Sequence, residues 1–170
     1  CHSILSKSSG YNWKLKSFAS YIQQLEMESL GKKANPDSIF KITGQSIFGG
    51  FGSTAQHSYF QLLHQGTSDF CADIIFSPVS NSPLSSAQAK GQASLLSSEL
   101  KGPITPLEVT NSDAPVNLFH LKELSLPVLG FLIASWEHRV FVSACMLKIN
   151  PFDQFGVAAG KKITKSFLKN

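Results

Sequence analysis

The sequence has few charged residues and almost no arginine. Charged residues make up 15% of the 170 positions, and Arg139 is the single arginine among fifteen basic residues, against eleven acidic ones. Nucleic-acid-binding domains usually carry a stripe rich in both arginine and lysine. The lysines here are scattered, and the densest runs, Lys32–Lys33 and Lys161–Lys162, are short. We therefore expect no direct binding to nucleic acid.

Cysteines and long apolar runs are scarce as well. Cys1, Cys71 and Cys145 are far apart and form no CxxC pair, which argues against a disulfide framework and favours a reduced, cytosolic setting. The longest apolar run, 126–136, is shorter than the ~20 residues of a membrane span, and no signal peptide is visible. We expect a cytoplasmic protein with no membrane partner. Because the chain begins with Cys1, it is interpreted as a piece of a longer polypeptide.

Apolar residues are plentiful. Hydrophobic residues make up 42% of the chain and include 13 phenylalanines, which excludes a disordered or coiled-coil composition. A chain of this length fits one domain with a substantial core. The low charge and the many phenylalanines also indicate that another domain or subunit covers part of the surface.

The apolar pattern alternates between helical and strand periods. It predicts helices at 13–30, 54–65, 83–101, 125–144 and 153–168, and strands at 46–50, 70–79 and 114–124. This alternation predicts an α/β fold, a three-layer sandwich whose mainly parallel sheet is flanked by helices. Ligands of such sheets bind beyond the carboxyl ends of the strands.

The first predicted helix carries a carboxylate near its end. Its buried stripe is predicted at four positions, Phe18, Tyr21, Ile22 and Leu25. Glu28 then lies at the edge of the stripe with Gln24 beside it, while Glu26 points to another side. Partial burial and the negative pole of the helix both disfavour ionised Glu28, as suits a general base. The alternative is an exposed Glu28 paired with Lys32 at i+4.

A glycine-rich loop precedes the second predicted helix. Gly49, Gly50 and Gly52 follow a strand, and Ser53 with Gln56 forms a predicted capping box.

His57 would then lie in the first turn of that helix, where the positive pole favours a neutral imidazole able to accept a proton. Alternatively, His57 packs with Phe60 on one face. His57 and His64 are two turns apart, about 10 Å, too far to share one metal, so no metal site is expected.

The last predicted helix has two faces of interest. A core stripe is predicted at five positions, Phe152, Phe155, Ala159, Ile163 and Phe167. Gln154 and Lys161 share a second face, with Ala158 between them. Small residues on that face leave room for a ligand, although a solvated lysine is the ordinary interpretation.

Four stretches, in the same order along the chain, together resemble the glucose-6-phosphate isomerase family. The stretch YIQQLEMES resembles Y-x-Q-Q-L-x-M-E-S, and QHSYFQLLHQGT is similar to Q-H-[SA]-[FY]-x-Q-L-[LI]-H-Q-G-T. Likewise EHRVFV resembles E-H-[KR]-x-F-V, and NPFDQFGVAAGKK resembles N-[SP]-F-D-Q-x-G-V-E-x-G-K. The resemblance covers nearly all of the chain but only the C-terminal third of that enzyme.

The resemblance implies a fold and a set of site residues. It implies that residues 1–170 are the second of two sugar-isomerase (SIS) domains, with the first absent from this chain. Glu28 matches the general base, Gln24 a substrate-binding glutamine, and His57 a ring-opening histidine supplied by the partner in a homodimer. Gln154 matches a glutamine at the substrate phosphate, and Lys161 a lysine at the ring oxygen and carbon 1.

The implied reaction interconverts glucose 6-phosphate and fructose 6-phosphate through a cis-enediol, without metal or organic cofactor. The loop at 49–57 departs from the family pattern, and Ala158 stands where the family has glutamate. The alternative is therefore a non-catalytic SIS-like module that binds a sugar phosphate or regulates another protein. If the chain is an isomerase domain, we expect it to be inactive alone, because the first domain and the partner subunit are absent. In the family, the phosphate loop and an enediolate-stabilising arginine lie upstream of this segment.

Overall fold

The computed structural model describes residues 6–10, 13–78, 83–97, 105–108, 110 and 113–168, and for residues 6–10, 13 and 53 only the backbone. The strands are β1 Ser6–Gly10, β2 Gly50–Phe51, β3 Cys71–Phe76 and β4 Val116–His120. The α-helices are α1 Phe18–Leu30, α2 Gly52–Gln56, α3 Phe60–Gln65, α4 Pro83–Leu96, α5 Leu126–Leu147 and α6 Phe155–Phe167. Short 3-10 helices lie at Trp13–Leu15 and Pro106–Glu108.

The four strands form one parallel sheet in the order β2-β1-β3-β4. In this register Ser8 lies opposite Asp73, and Ile74 lies opposite Leu118. The two central strands, β1 and β3, are therefore neighbours although some sixty residues separate them in the chain. The predicted α/β class with a parallel sheet is confirmed.

The side chains of β3 alternate between two helical layers. Ile75 packs in a cluster with residues of α1 and α5, namely Phe18, Ile22, Leu132 and Trp136. On the opposite face, Ala72, Ile74 and Phe76 pack against α4, and Ala72 also reaches Leu63 of α3. Because a strand buried on both faces has a continuous apolar sequence, β3 could be predicted from the sequence.

One strand was not predicted, and two predictions about the second helix were wrong. Strand β1 was not predicted, because its sequence SKSSG carries no apolar alternation. The predicted helix 54–65 is broken into α2 and α3 at residues 57–59. The carbonyl of Ala55 accepts hydrogen bonds from both Ser58 N (3.0 Å) and Tyr59 N (3.2 Å), so α2 closes in a tight turn. The capping box was also wrong, since α2 begins at Gly52, one residue before Ser53.

Helix α6 contradicts its predicted core stripe. Four members of the stripe are largely exposed, Phe152 (80%), Phe155 (78%), Ile163 (61%) and Phe167 (75%), and the helix buries no residue. The period of apolar residues predicted an apolar face correctly. It could not predict what covers that face, and no described part of the chain does so.

One described helix, α5, is long and apolar enough to cross a membrane by length and composition. It continues well past the apolar run seen in the sequence, through Glu137, His138 and Arg139. Leu132 and Trp136 of the same helix pack in the core beside Ile75 of the sheet. One face of α5 therefore packs in the core of this domain, while Phe131 and Phe141 of the same helix are exposed.

A network of charged groups joins α1, α5 and β3. Arg139 of α5 donates from Nη1 to Asp73 Oδ2 of β3 (2.9 Å) and from Nη2 to Glu26 Oε1 of α1. Gln45 donates to the second oxygen of Glu26 (2.5 Å), and Asn117 donates to the second oxygen of Asp73 (2.8 Å). Both carboxylates are buried, so each needs these partners. The expectation that Glu26 points away from the core was wrong.

The pKa values of the network reflect its burial. Burial raises the pKa of Glu26, and the charge of Arg139 and the hydrogen bond from Gln45 act against that rise. Burial alone would lower the pKa of Arg139, but the charge of Glu26 and the contact with Asp73 raise it. The guanidinium therefore stays charged between the two carboxylates.

We predict that Arg139→Met in the complete polypeptide lowers the free energy of unfolding by about 3 kcal/mol. This is the lower end of the range for breaking a buried pair, because the Arg139 side chain remains 36% exposed. Without the cation, the native carboxylates retain protons that the unfolded chain releases, so the variant should lose stability as pH rises from 5 to 7. Urea unfolding at both pH values measures this.

The triple variant Arg139→Met, Glu26→Gln, Asp73→Asn is the control. It should regain part of the lost stability, because the uncompensated charges are gone. A single variant as stable as the wild type at pH 7 would contradict the role given to the network.

Candidate active site

The side chains of Glu28 and Gln154 meet between two helices. Glu28 lies in the last turn of α1 and is half-buried, and Gln154 is the residue that precedes α6. Gln154 Nε2 donates to Glu28 Oε2 at 3.1 Å. The amide thereby orients a carboxylate that belongs to an element more than a hundred residues away in the chain.

Two open clefts share this pair of side chains. The α1/α5 cleft, about 680 Å³, is lined by Gln24 and Tyr21 of α1 and by Glu137 and Phe141 of α5, among others. The α1/α6 cleft, about 760 Å³, is lined by residues that follow α1 and by the start of α6. Both volumes are of the size that a small-molecule ligand needs. Gln24, Glu28 and Gln154, predicted from distant stretches, thus border one cleft.

Tyr21 and Glu137 form a polar contact in the wall of the α1/α5 cleft. The Tyr21 hydroxyl donates to Glu137 Oε1 at 3.1 Å. Burial, and then the hydrogen bond and the charge of Glu137, raise the pKa of Tyr21. Tyr21 therefore acts as a hydrogen-bond donor at neutral pH.

Lys32 joins the end of α1 to the loop before α6. Its Nζ donates to the backbone carbonyl of Glu28 (2.7 Å) and to the backbone carbonyl of Asp153, and it lies 3.6 Å from Asp153 Oδ1. The alternative in which Lys32 pairs with the carboxylate of Glu28 was therefore wrong. The ammonium binds the carbonyl of that residue instead.

The loop between α5 and α6 is held by further backbone contacts. Lys148 ends α5 in the left-handed conformation (φ 54°), and Ile149 N donates to Ala144 O at 3.0 Å. Asn35 Nδ2 donates to Lys148 O at 2.7 Å, and Lys148 Nζ donates to Asp37 O at 3.1 Å. The segment after α1 therefore fixes the loop that carries Gln154.

Two glycines allow the chain to turn closely at the end of α1. A Cβ on Gly31 would lie 2.4 Å from the carbonyl oxygen of Met27. Gly44 has φ +70°, and a Cβ there would lie 3.1 Å from Gly31 Cα. Only glycine fits this approach of backbone to backbone.

His57 and Lys161 line neither cleft in the described part of the chain. His57 follows the end of α2 and is exposed, so the expectation that it lies in the first turn of a helix was wrong. The alternative, packing of His57 with Phe60, stays a prediction. Lys161 is exposed on α6, seven residues after Gln154, which corresponds to about 10 Å along a helix. The positions of His57 and Lys161 in this chain do not test the roles expected of them, so both roles stay predictions.

Comparison with known proteins identifies the family. The profile of one family, phosphoglucose isomerase, matches residues 2–170. The chain belongs to the phosphoglucose isomerase family.

Individual relatives of the chain agree with the family match. The chain is 35% identical to a glucose-6-phosphate isomerase of Wigglesworthia glossinidia brevipalpis, over 93% of this chain and 33% of the relative. It is 39% identical to a glucose-6-phosphate isomerase of Acinetobacter baumannii, over 93% of this chain and 33% of that relative. The chain thus spans about a third of the length of these relatives.

Solved structures agree with the family and the fold. A glucose-6-phosphate isomerase from Chlamydia trachomatis superposes with a TM-score of 0.83 at 28% identity, over 98% of this chain and 35% of that one. A hypothetical protein from Thermus thermophilus superposes with a TM-score of 0.80 at 20% identity, over 99% of this chain and 42% of that one. This likeness supports the fold alone.

Sequence reasoning missed the residues that position the site. Glu26 follows Ile22 by four residues and precedes Leu30 by four, so helical spacing places it on the buried row with Phe18. The helical spacing of the buried row therefore carries a signal for Glu26. The contact of Lys32 with Asp153 spans 121 residues and had no local signal. Among the described residues, no three His, Cys, Asp or Glu side chains gather where they could hold a metal.

We predict that Gly31→Ala in the complete polypeptide lowers the free energy of unfolding by about 1–3 kcal/mol, as for other overpacked sites. The added methyl group cannot fit against the Met27 carbonyl without moving the end of α1. Gly91→Ala in α4 is the matched control, because a Cβ there meets nothing within 4 Å. That variant should gain about 0.5–1 kcal/mol, since alanine is the better helix former. Urea unfolding of both variants measures the difference, and equal effects would contradict the close approach.

Proposed function

We propose that this chain is the C-terminal SIS-type domain of a longer, two-domain glucose-6-phosphate isomerase. The family match and the names of the relatives support the activity. The observation that carries it on the structural side is the half-buried Glu28 carboxylate, hydrogen-bonded to Gln154 where two clefts meet. The named relatives are isomerases, and they do not favour the non-catalytic alternative.

In the proposed reaction, Glu28 moves one proton between two carbons of the open-chain sugar phosphate. Its carboxylate takes the proton from carbon 2 of glucose 6-phosphate, and the C–H electron pair forms the carbon 1–carbon 2 double bond. The carbonyl electron pair at carbon 1 moves to oxygen 1, which takes up a proton to give the cis-enediol. The protonated carboxyl then returns its proton to carbon 1 while the hydroxyl on carbon 2 gives up its proton, so that one proton passes in total from oxygen 2 to oxygen 1 and the carbonyl of fructose 6-phosphate forms at carbon 2. A base positioned in this way contributes about 10²–10⁴-fold.

The other predicted residues receive the following proposed roles. Gln24 binds the substrate in the α1/α5 cleft, and Gln154 binds it on the side of the phosphate while orienting Glu28. Lys161 acts at the ring oxygen and carbon 1. No metal and no organic cofactor enters any of these steps.

The proposed enzyme is a cytoplasmic homodimer in which His57 serves the site of the neighbouring subunit. The exposure of His57, together with its absence from both clefts of its own chain, supports this arrangement. The exposed phenylalanines of α5 and α6 support the proposal that the first domain and the partner cover this chain. We therefore propose that the chain is inactive when isolated.

Glu28→Gln in the complete polypeptide should lower kcat by about 10²–10⁴-fold, because the amide cannot accept the carbon-bound proton. Fructose 6-phosphate is supplied, and glucose 6-phosphate is followed through its dehydrogenase. Glu123→Gln is the matched control, since Glu123 is exposed and lines neither cleft, and it should retain wild-type activity. Full activity in Glu28→Gln would show that Glu28 is not the base. A folded wild type without isomerase activity would contradict the proposed isomerase function.

A mixing experiment tests the shared site. If Glu28 and His57 of one site come from different subunits, the variants Glu28→Gln and His57→Gln are each inactive alone. Subunit exchange between them then gives heterodimers with one intact site and one doubly altered site. With random pairing, activity should recover to about a quarter of wild type, because half of the dimers carry one good site of two. No recovery, with exchange verified by mass spectrometry, would argue that His57 serves its own chain.

A further inference from the structure

Lys32 is a lysine whose ammonium is turned into the protein. The side chain is 14% exposed, although lysine is among the residues least often buried. Lys33, the next residue, is exposed as most lysines are. Lys32 therefore gains enough from its contacts to offset the loss of water around its charge.

The contacts of Lys32 join two backbones. One acceptor is the carbonyl of Glu28 itself, at 2.7 Å, and another is the carbonyl of Asp153, which is peptide-bonded to Gln154. The Asp153 carboxylate lies 3.6 Å from the same ammonium. A single cation thus connects the main chain of Glu28 with the residue before Gln154, and the side chains of Glu28 and Gln154 meet at 3.1 Å.

The electrostatics of the helix end favour this arrangement. The last carbonyls of α1 point towards its C-terminus and carry partial negative charge, which a nearby cation stabilises. The Asp153 carboxylate adds a full negative charge on the other side of the ammonium. Lys32 therefore lies between two sources of negative charge.

We propose that Lys32 is a positioning residue for the isomerase reaction. It holds the backbone of Glu28 and the backbone that precedes Gln154 at a fixed separation, so that carboxylate and amide face the substrate together. This inference rests on the proposed function. Lys32 itself is assigned no proton transfer, since its ammonium donates to two backbone carbonyls and lies beside the Asp153 carboxylate.

The role has a kinetic signature. A displacement of a reacting group by about 1 Å can cost 10²-fold in rate even when the substrate still binds. We expect Lys32→Met to lower kcat about 10–100-fold and to change KM by less than about threefold. Lys32→Arg should recover most of the loss, because a guanidinium can also donate to both carbonyls.

The experiment compares four forms of the complete polypeptide: wild type, Lys32→Met, Lys32→Arg and Lys122→Met. Lys122 is exposed and lines neither cleft, so its variant controls for the loss of one positive charge and should keep wild-type kinetics. Thermal unfolding is recorded first, and kcat and KM are measured well below each midpoint. A lower kcat then cannot come from a smaller folded fraction.

The outcomes separate the two proposals. A wild type without isomerase activity overturns the proposed function and the positioning role with it. An active wild type with Lys32→Met within twofold of Lys122→Met overturns the positioning role alone. An effect of Lys32→Met on KM in place of kcat would also overturn the positioning role alone. So would a Lys32→Arg variant whose kcat is no higher than that of Lys32→Met.

Discussion

The placement of helix α1 depends on one cation, the Arg139 guanidinium, which lies between two buried carboxylates. Glu26 belongs to α1 and Asp73 to the central strand β3, so the cation on α5 connects all three elements. Without it, the two buried carboxylates would either share a low-dielectric interior as negative charges or have to retain protons, and either costs stability. Glu28 is only two residues beyond Glu26 on the same helix. The fixed position of the candidate base therefore follows from a charge balance inside the core.

A second cation, Lys32, works at the end of the same helix. Arg139 fixes α1 against the sheet, and Lys32 fixes the last turn of α1 against the loop before α6. The two contacts have different roles. Arg139 fixes the position of Glu28 relative to the sheet, and Lys32 fixes the distance between Glu28 and Gln154. The remaining proposed groups are not held in this way, since Lys161 and His57 are exposed. In the proposed function, the first domain and the partner subunit complete this site.

The sequence predicted the architecture better than it predicted the contacts between side chains. The buried run of β3 and the helical period of α5 were visible, because burial on both faces or along one stripe leaves an apolar pattern. Strand β1 was missed because it is polar, and the break at 57–59 was missed because tertiary packing overrides helical spacing. Motif resemblance supplied Gln24, Glu28 and Gln154, which do border one cleft. The contact of Arg139 with Glu26 and the contact of Lys32 with Asp153 each span more than a hundred residues, so no local pattern could predict these two pairs.

The central claim is that Glu28 faces the reacting carbons of a sugar phosphate. A crystal structure of the complete polypeptide with fructose 6-phosphate bound tests it most directly. The account predicts a Glu28 carboxylate oxygen about 3–3.5 Å from carbon 1 or carbon 2, the distance of a reactive contact. It also predicts that the contacts of Lys32 with Glu28 and Asp153 are kept. A substrate bound away from Glu28, or a Glu28 carboxylate directed away from both carbons, would contradict it.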